Sequence, residues 1–235
     1  MKLLLRDPLA LFFAVFFTPA VVVILGSIPS FRKPDPALGG VTIISVYVPI
    51  AVLMVVAMVG LFLLPTYLGT YRERGILRRL AVTPARPSWL LVAQLATALM
   101  VAVATVVLVL AIGRLAFSVA LPGQALGYAL AFLLSAAALF ALGLVVAAVA
   151  PNGRAASGIG NVAFFPLMFF AGLWTPREVM PRVLQRIADF SPLGAGERAM
   201  HDATLGHFPS LAALAVLVGY LVVFGGMAVR LFRWE

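Results

Sequence analysis

The chain predicts an all-α integral membrane protein with six transmembrane helices, and three observations carry that expectation. Apolar residues make up 63% of its 235 positions and charged residues only 11%, with a mean hydropathy of +1.12, well outside the range of soluble globular domains. The apolar residues gather into six stretches, each near the roughly 20 residues that a helix needs to cross a bilayer core. The charges sit at the ends of those stretches rather than along one face. Despite a formal net charge of +9, that pattern points to anchoring at a membrane surface and not to a nucleic-acid partner.

The spans fall at about 9–28, 41–64, 88–112, 124–150, 155–174 and 210–229, forming a single transmembrane domain over 1–235. The first follows Lys2 and Arg6, as a signal peptide would. It is long, however, and its small-residue cleavage pattern is poorly formed, so it reads as a retained span. Pro19, Pro49 and Pro166 fall inside spans, where neighbouring helices can satisfy the freed carbonyls, so they mark kinks and not breaks.

Counting basic residues sets the orientation. With the N-terminus inside, ten Arg and Lys residues fall on cytoplasmic segments and seven on outer ones. Five of the ten (Arg72, Arg74, Arg78, Arg79 and Arg86) lie in one short loop next to span ends, where the positive-inside rule has most force. Both termini are therefore expected in the cytoplasm, and the expected location is the bacterial cell (plasma or inner) membrane, crossed several times. The segment YRERGILRRLAVTPARP, from Tyr71 to Pro87, is the only dense cluster of charge in the chain. By charge alone it is either a topogenic loop or a polar element on which a partner could push.

The connection Thr175–Phe208 is the longest loop. Within PREVMPRVLQRIADF, Val179, Val183, Leu184 and Ile187 recur at helical spacing, opposite Arg182, Gln185, Arg186 and Asp189. That pattern predicts an amphipathic helix lying at the outer membrane surface. A second short helix is expected in GERAMHDATLG, after Pro192. His201 and His207, with Asp202 beside them, fit no standard zinc spacing, so no metal is expected there. The chain contains no cysteine, which excludes disulfides, thiolate metal sites and cysteine catalysis.

Missing motifs narrow the function. No GxxxxGK[ST] loop occurs, so the chain is not expected to bind and hydrolyse ATP itself. None of the six spans carries Asp, Glu, Lys or Arg away from its ends, which argues against an ion-coupled carrier. The polar residues within spans are mild ones: Thr42, Ser45, Gln94, Thr97, Thr105, Ser135, Ser157 and Asn161. Hydrogen bonding within and between helices accounts for such residues.

Three blocks of sequence then resemble the ABC-2-type permeases, the membrane subunits of ATP-driven exporters. They are YRERGILRRLAVTPARPSWLLVAQL, APNGRAASGIGNVAFFPLMFFAGLWTPREVMP and IADFSPLGAGERAM, and they occur in the family's order across nearly the whole chain. Ile76 stands where the family usually has Thr, and Arg6–Pro8 resembles only the end of the family's cytoplasmic interface helix. The resemblance implies a coupling helix at about 70–84 that docks on a separate ATP-binding subunit. By position Arg72, Glu73, Arg74, Gly75, Leu77 and Leu80 would supply that contact, with Arg154 in the turn after Pro151 as a second, smaller one. ATP and magnesium would belong to the partner; this chain would hold no cofactor and be no enzyme by itself.

The resemblance also implies two permease copies, or one with a paralogue, surrounded by membrane lipid. The path would lie between them, lined by Met54, Met58, Asn161, Phe165 and Phe169 of the second and fifth spans. An uncharged path bearing Phe and Met suits a hydrophobic drug, lipid or glycolipid better than a small ion. The competing readings are an ion-coupled carrier and a non-transporting assembly or sensor subunit.

Overall fold

The computed structural model describes residues 13–38, 40–75 and 88–231. Its helices are α1 (Thr18–Ser27), α2 (Ile43–Met58), α3 (Leu64–Glu73), α4 (Ser88–Phe117), α5 (Ala125–Val149), α6 (Gly153–Phe170), α7 (Arg182–Phe190), α8 (Pro192–Thr204) and α9 (Leu211–Leu231). No strand occurs among the described residues, only an isolated bridge between Pro34 and Thr42. The fold is all-α, as the composition predicts.

Among the described residues, four helical stretches are long and apolar enough to cross a membrane: Ile43–Glu73, Trp89–Phe117, Ala125–Val149 and Leu211–Leu231. The expected first span corresponds to a shorter apolar helix, Val15–Ser27, and its residues 9–12 lie outside the described part. The expected fifth span corresponds to α6, whose 18 residues include Arg154 and Asn161. Neither of these two is among the four.

The second span differs most from expectation. Its helix does not stop at Leu64 but runs through a π turn (Val59–Leu63) into α3 and ends at Glu73. The cause is Pro65. It has no N–H to give to the carbonyl of Leu61, four residues back, or of Gly60, five back. The chain widens locally, and the N–H of Leu64 bonds to the carbonyl of Val59, a spacing of five residues that defines a π turn. The freed carbonyls point at glycines. A β-carbon on Gly143 of α5 would overlap the carbonyl oxygen of Gly60, and one on Gly160 of α6 would overlap that of Leu61. Helices α5 and α6 therefore approach the π turn backbone to backbone, the close packing that small residues allow inside a membrane.

This long helix is the core of the fold. Val52, Leu53, Val55, Val56 and Ala57 have no exposed surface, and α1, α4, α5, α6 and α8 all pack around it. By contrast α4 and α9 leave Val107, Leu115, Val222 and Val229 largely exposed, which is the outward apolar surface a bilayer would cover. Several of the mild polar residues are satisfied locally, whereas the buried hydroxyl of Ser135 has no hydrogen-bond partner among the described residues. Thr97 and Thr105 donate to the carbonyls of Ala93 (2.7 Å) and Val101 (2.8 Å), and Thr42 caps α2 by accepting from the N–H of Ser45 at 3.3 Å.

The Thr175–Phe208 connection corrects one expectation and extends another. The predicted single amphipathic helix is broken at Pro181, which cannot donate within a helix. It forms a 3₁₀ turn (Arg177–Val179) followed by α7. Gln185, assigned to a free polar face, instead donates to the carbonyls of Arg177 and Met180, both at 3.0 Å. Asp189 pairs with Arg177 (2.6 Å) and Arg198 (3.4 Å), fastening the turn and α8 to α7. The apolar residues Val183, Ile187 and Phe190 face outward.

The second helix expected in GERAMHDATLG is α8, and it is buried. Leu193, Ala195, Ala199, Met200 and Ala203 are fully buried, against α2, α5 and α9. Small residues make this descent possible: a β-carbon on Gly196 would stand 2.5 Å from Ser135 Oγ and 3.1 Å from Leu53 Cδ2. Leu53 lies ten residues along from Ile43, roughly 15 Å down the helix, about half the depth of a bilayer core of ~30 Å. Glu197, only 3% exposed, is carried inward with it. The spans carry no Asp, Glu, Lys or Arg away from their ends, but the loop between the fifth and sixth supplies one.

Candidate functional site

At the far end of the long helix, three chain segments converge. Helix α3 ends at Glu73, with Arg74 as its C-cap and Gly75 beyond it at φ +64°, the left-handed conformation that glycine adopts at no steric cost. The N–H of Gly75 bonds to the carbonyl of Arg72 at 3.0 Å. Beside this end lies the turn from α5 to α6. Asn152 caps α6 by accepting from the N–H of Ala155 at 2.8 Å. The turn sits directly on α3: a β-carbon on Gly153 would be 2.5 Å from Thr70 Oγ1, and one on Gly69 would be 3.0 Å from Asn152. The start of α4 is held by Gln94, whose side-chain amide donates to the Tyr71 hydroxyl at 2.9 Å.

Arg72 joins these parts. Its guanidinium donates to the carbonyls of Ala148 and Ala150, both at 3.1 Å. Those carbonyls belong to the end of α5, where a helix has unsatisfied acceptors and a partial negative charge. Arg72, assigned by resemblance to a partner contact, is thus engaged within the chain. Glu73, Arg74 and Arg154 are exposed and Gly75 is half-buried, so these surround the joint with accessible charge. Leu77, Leu80 and the remainder of the expected coupling helix lie outside the described residues.

The expected path residues separate into two groups. Met54 is buried at 3% exposure, and the sulfur of half-buried Met58 accepts a long contact from Thr18 Oγ1 at 4.0 Å. Both are packed within one chain. Asn161 and Phe165 are exposed on α6 and Phe169 is half-buried. They share that face with Val162, 76% exposed, which the sequence reading did not single out. An aromatic ladder borders it: Phe62 tilts on Phe164 (centroids 5.4 Å), Phe164 meets Phe165 edge-on (5.7 Å), and Phe165 stacks on Trp174 (6.0 Å). Trp174 and Phe62 were also missed, although the i, i+4 spacing from Asn161 to Phe165 and the i, i+3 spacing from Val162 to Phe165 would have located the face.

The other missed features are the glycine pair Gly69 and Gly153, the tie from Gln94 to Tyr71, and Glu197. Near Glu197, Asp202 does not gather the two histidines: its carboxylate accepts from the N–H of Ser210 at 3.2 Å and so caps α9. No cluster of three metal-binding side chains occurs among the described residues.

Comparison with known proteins places this geometry in a family. The chain is 28% identical over 88 residues to the daunorubicin resistance ABC transporter permease protein DrrB1 of Streptomyces coeruleorubidus, covering 36% of this chain and 31% of that protein. It is 25% identical over 154 residues to the putative transport permease YvfS of Bacillus subtilis (strain 168), covering 65% of this chain and 62% of that protein. The chain thus matches less than two thirds of the length of either relative. No solved structure matches it. The model of the ABC-2 type transporter family matches residues 1–205, and the chain belongs to that family.

Proposed function

We propose that this chain is the membrane permease subunit of an ABC exporter, driven by ATP hydrolysis on a separate ATP-binding subunit. The observation that carries the reading is the unbroken helix from Ile43 to Glu73. At 31 residues it is roughly 46 Å long, longer than a hydrocarbon core of ~30 Å. Its buried part therefore ends in charge that would stand clear of the membrane interior. A push on exposed Glu73 and Arg74 would move the core of the protein as a rigid body. Through Arg72 the same push would reach the ends of α5 and α6. This is how closure of an ATPase pair could shift one packed arrangement to another.

In this reading six helices cross the membrane, α1 and α6 completing the four longer ones, and both termini lie in the cytoplasm. ATP and magnesium are held by the partner, and this chain needs no cofactor. A second copy or a paralogue covers the face of α6 that bears Asn161, Val162 and Phe165, and the path runs along it. Its apolar and aromatic character suits a hydrophobic or amphipathic substrate.

The competing reading is an ion-coupled carrier, and buried Glu197 is the observation in its favour, since an acid at membrane depth is the usual equipment for moving protons. Reconstitution with the ATP-binding partner separates the two. The exporter reading expects substrate movement that requires hydrolysable ATP, stops with vanadate, and persists when an ionophore collapses ion gradients at constant ATP. Movement driven by a proton gradient without the ATP-binding subunit would reject it in favour of the carrier.

A further inference from the structure

The chain has five carboxamide side chains, Gln94, Gln124, Asn152, Asn161 and Gln185, and four of them are engaged. Gln94 donates to the Tyr71 hydroxyl, and Gln185 donates to two backbone carbonyls. Gln124 and Asn152 accept from the N–H groups of Gly127 and Ala155, capping α5 and α6. Asn161 is the exception. It is exposed, and its carboxamide makes no hydrogen bond among the described residues. It stands eight residues beyond Gly153, roughly 12 Å along α6. Gly160, next to it, lies against the carbonyl of Leu61 in the π turn of the second span. If α6 crosses the bilayer, Asn161 is an unpaired amide at membrane depth, which lipid cannot satisfy.

The same face of α6 suits a second helix. Gly158, Asn161 and Phe165 follow at spacings of three and four residues, the repeat by which two parallel helices meet along a seam. All three are exposed. A β-carbon on Gly158 would meet nothing within 4 Å, so the seam offers close backbone approach there. Arg154, four residues before Gly158 and also exposed, lies in the first turn of α6, at the end of the span. Two copies inserted the same way are related by an axis along the membrane normal, and a twofold interface brings a residue at the axis against its own counterpart. Like charges would repel there, whereas a carboxamide carries both donors and an acceptor and complements itself. We infer that Asn161 hydrogen-bonds to the same residue of a second copy of this chain, amide to amide, and sets the register of the two α6 helices. A lipid tail offers the amide nothing, and a paralogue would serve only by bringing a carboxamide to the same level. The inference rests on the reading that a second permease covers this face of α6.

The test uses the full chain, which has no cysteine of its own, in membrane vesicles. Gly158→Cys, Asn161→Cys and Phe165→Cys should each form a disulfide-linked dimer on oxidation, which needs Cα atoms within roughly 7 Å. Ile159→Cys, exposed but turned away from the seam, should not. Dimerisation is then followed by energy transfer between full-length chains labelled at Pro36→Cys while the lipid is diluted. Asn161→Leu keeps the side-chain volume without the amide and should weaken the dimer roughly tenfold, equivalent to about 1.4 kcal/mol, within the range for hydrogen bonds between membrane helices. Its melting temperature should not change, because the side chain is exposed, and Asn161→Gln should restore most of the affinity. Dimerisation of Asn161→Leu equal to or tighter than wild type overturns the pair. Linkage at positions 158 and 165 without linkage at 161 overturns the pair but leaves a second copy on α6. Absence of linkage at all three removes the second copy as well.

Discussion

Gly143 of α5 lies directly against the carbonyl oxygen of Gly60, so close that a methyl group on Gly143 would overlap that oxygen. The contact exists because Pro65 leaves carbonyls in the second span without their helical partner, and because α5 presents no side chain there. Gly160 makes the same approach to Leu61 from the other side. The π turn is therefore wedged between two helices, which fixes the centre of the long helix while both of its ends make other contacts.

Gly143→Ala should accordingly destabilise the chain. Overpacking of this kind costs about 1–3 kcal/mol, which for a chain of this size lowers a melting temperature by roughly 2–12 °C. Gly219→Ala, where a β-carbon meets nothing within 4 Å, is the control and should leave it unchanged. Thermal unfolding of the purified chain in detergent measures both. Equal melting of the two variants would mean that the helices do not meet backbone to backbone at the π turn.

Arg72 and Glu73 are adjacent but should fail differently. Arg72→Ala removes both donations to Ala148 and Ala150, and hydrogen bonds from a charged group contribute about 1.5–3 kcal/mol each. Its melting temperature should fall along with any transport. A variant with wild-type melting would show that the α5 end does not depend on this guanidinium.

The orientation is testable because the chain has no cysteine of its own. Cysteines placed at Pro36 and Arg186, both exposed and on the side expected outside, should react with an impermeant thiol reagent on intact cells. One at exposed Arg154 should react only after the membrane is opened. Labelling of the Arg154 position from outside would reverse the topology and remove the coupling surface from the cytoplasm.

Much of the fold was legible from apolar run length. The boundaries read for the fourth span, 124–150, and the sixth, 210–229, lie within two residues of α5 and α9, because an uninterrupted apolar run has few alternatives in a membrane. The extension of the second span to Glu73 was not legible, because Pro65 and the polar residues after it look like a stop. Only the π turn and the glycines opposite it, far away in sequence, let the helix continue. The burial of α8 was hidden for a similar reason. Its Glu197, Arg198, His201 and Asp202 read as surface residues, whereas Gly196 decides its position by fitting against Ser135 and Leu53, and Gly194 by lying against the carbonyl of Ala188. At the candidate site, charge located the exposed cluster but could not separate Arg72, held inside the chain, from Glu73 and Arg74, left accessible. That distinction depends on where the end of α5 lies, which no local pattern encodes.

The central claim is that Glu73 marks the surface through which an ATP-binding partner moves the long helix. The most direct measurement is substrate transport and ATP hydrolysis by the reconstituted complex carrying Glu73→Lys, with co-purification and melting temperature recorded on the same preparation. Glu73 is exposed and ends α3, so melting should stay at the wild-type value. Transport and substrate-stimulated hydrolysis should fall at least tenfold, the effect of about 1.4 kcal/mol lost at the contact. A variant that assembles with the partner and transports at the wild-type rate would contradict the account.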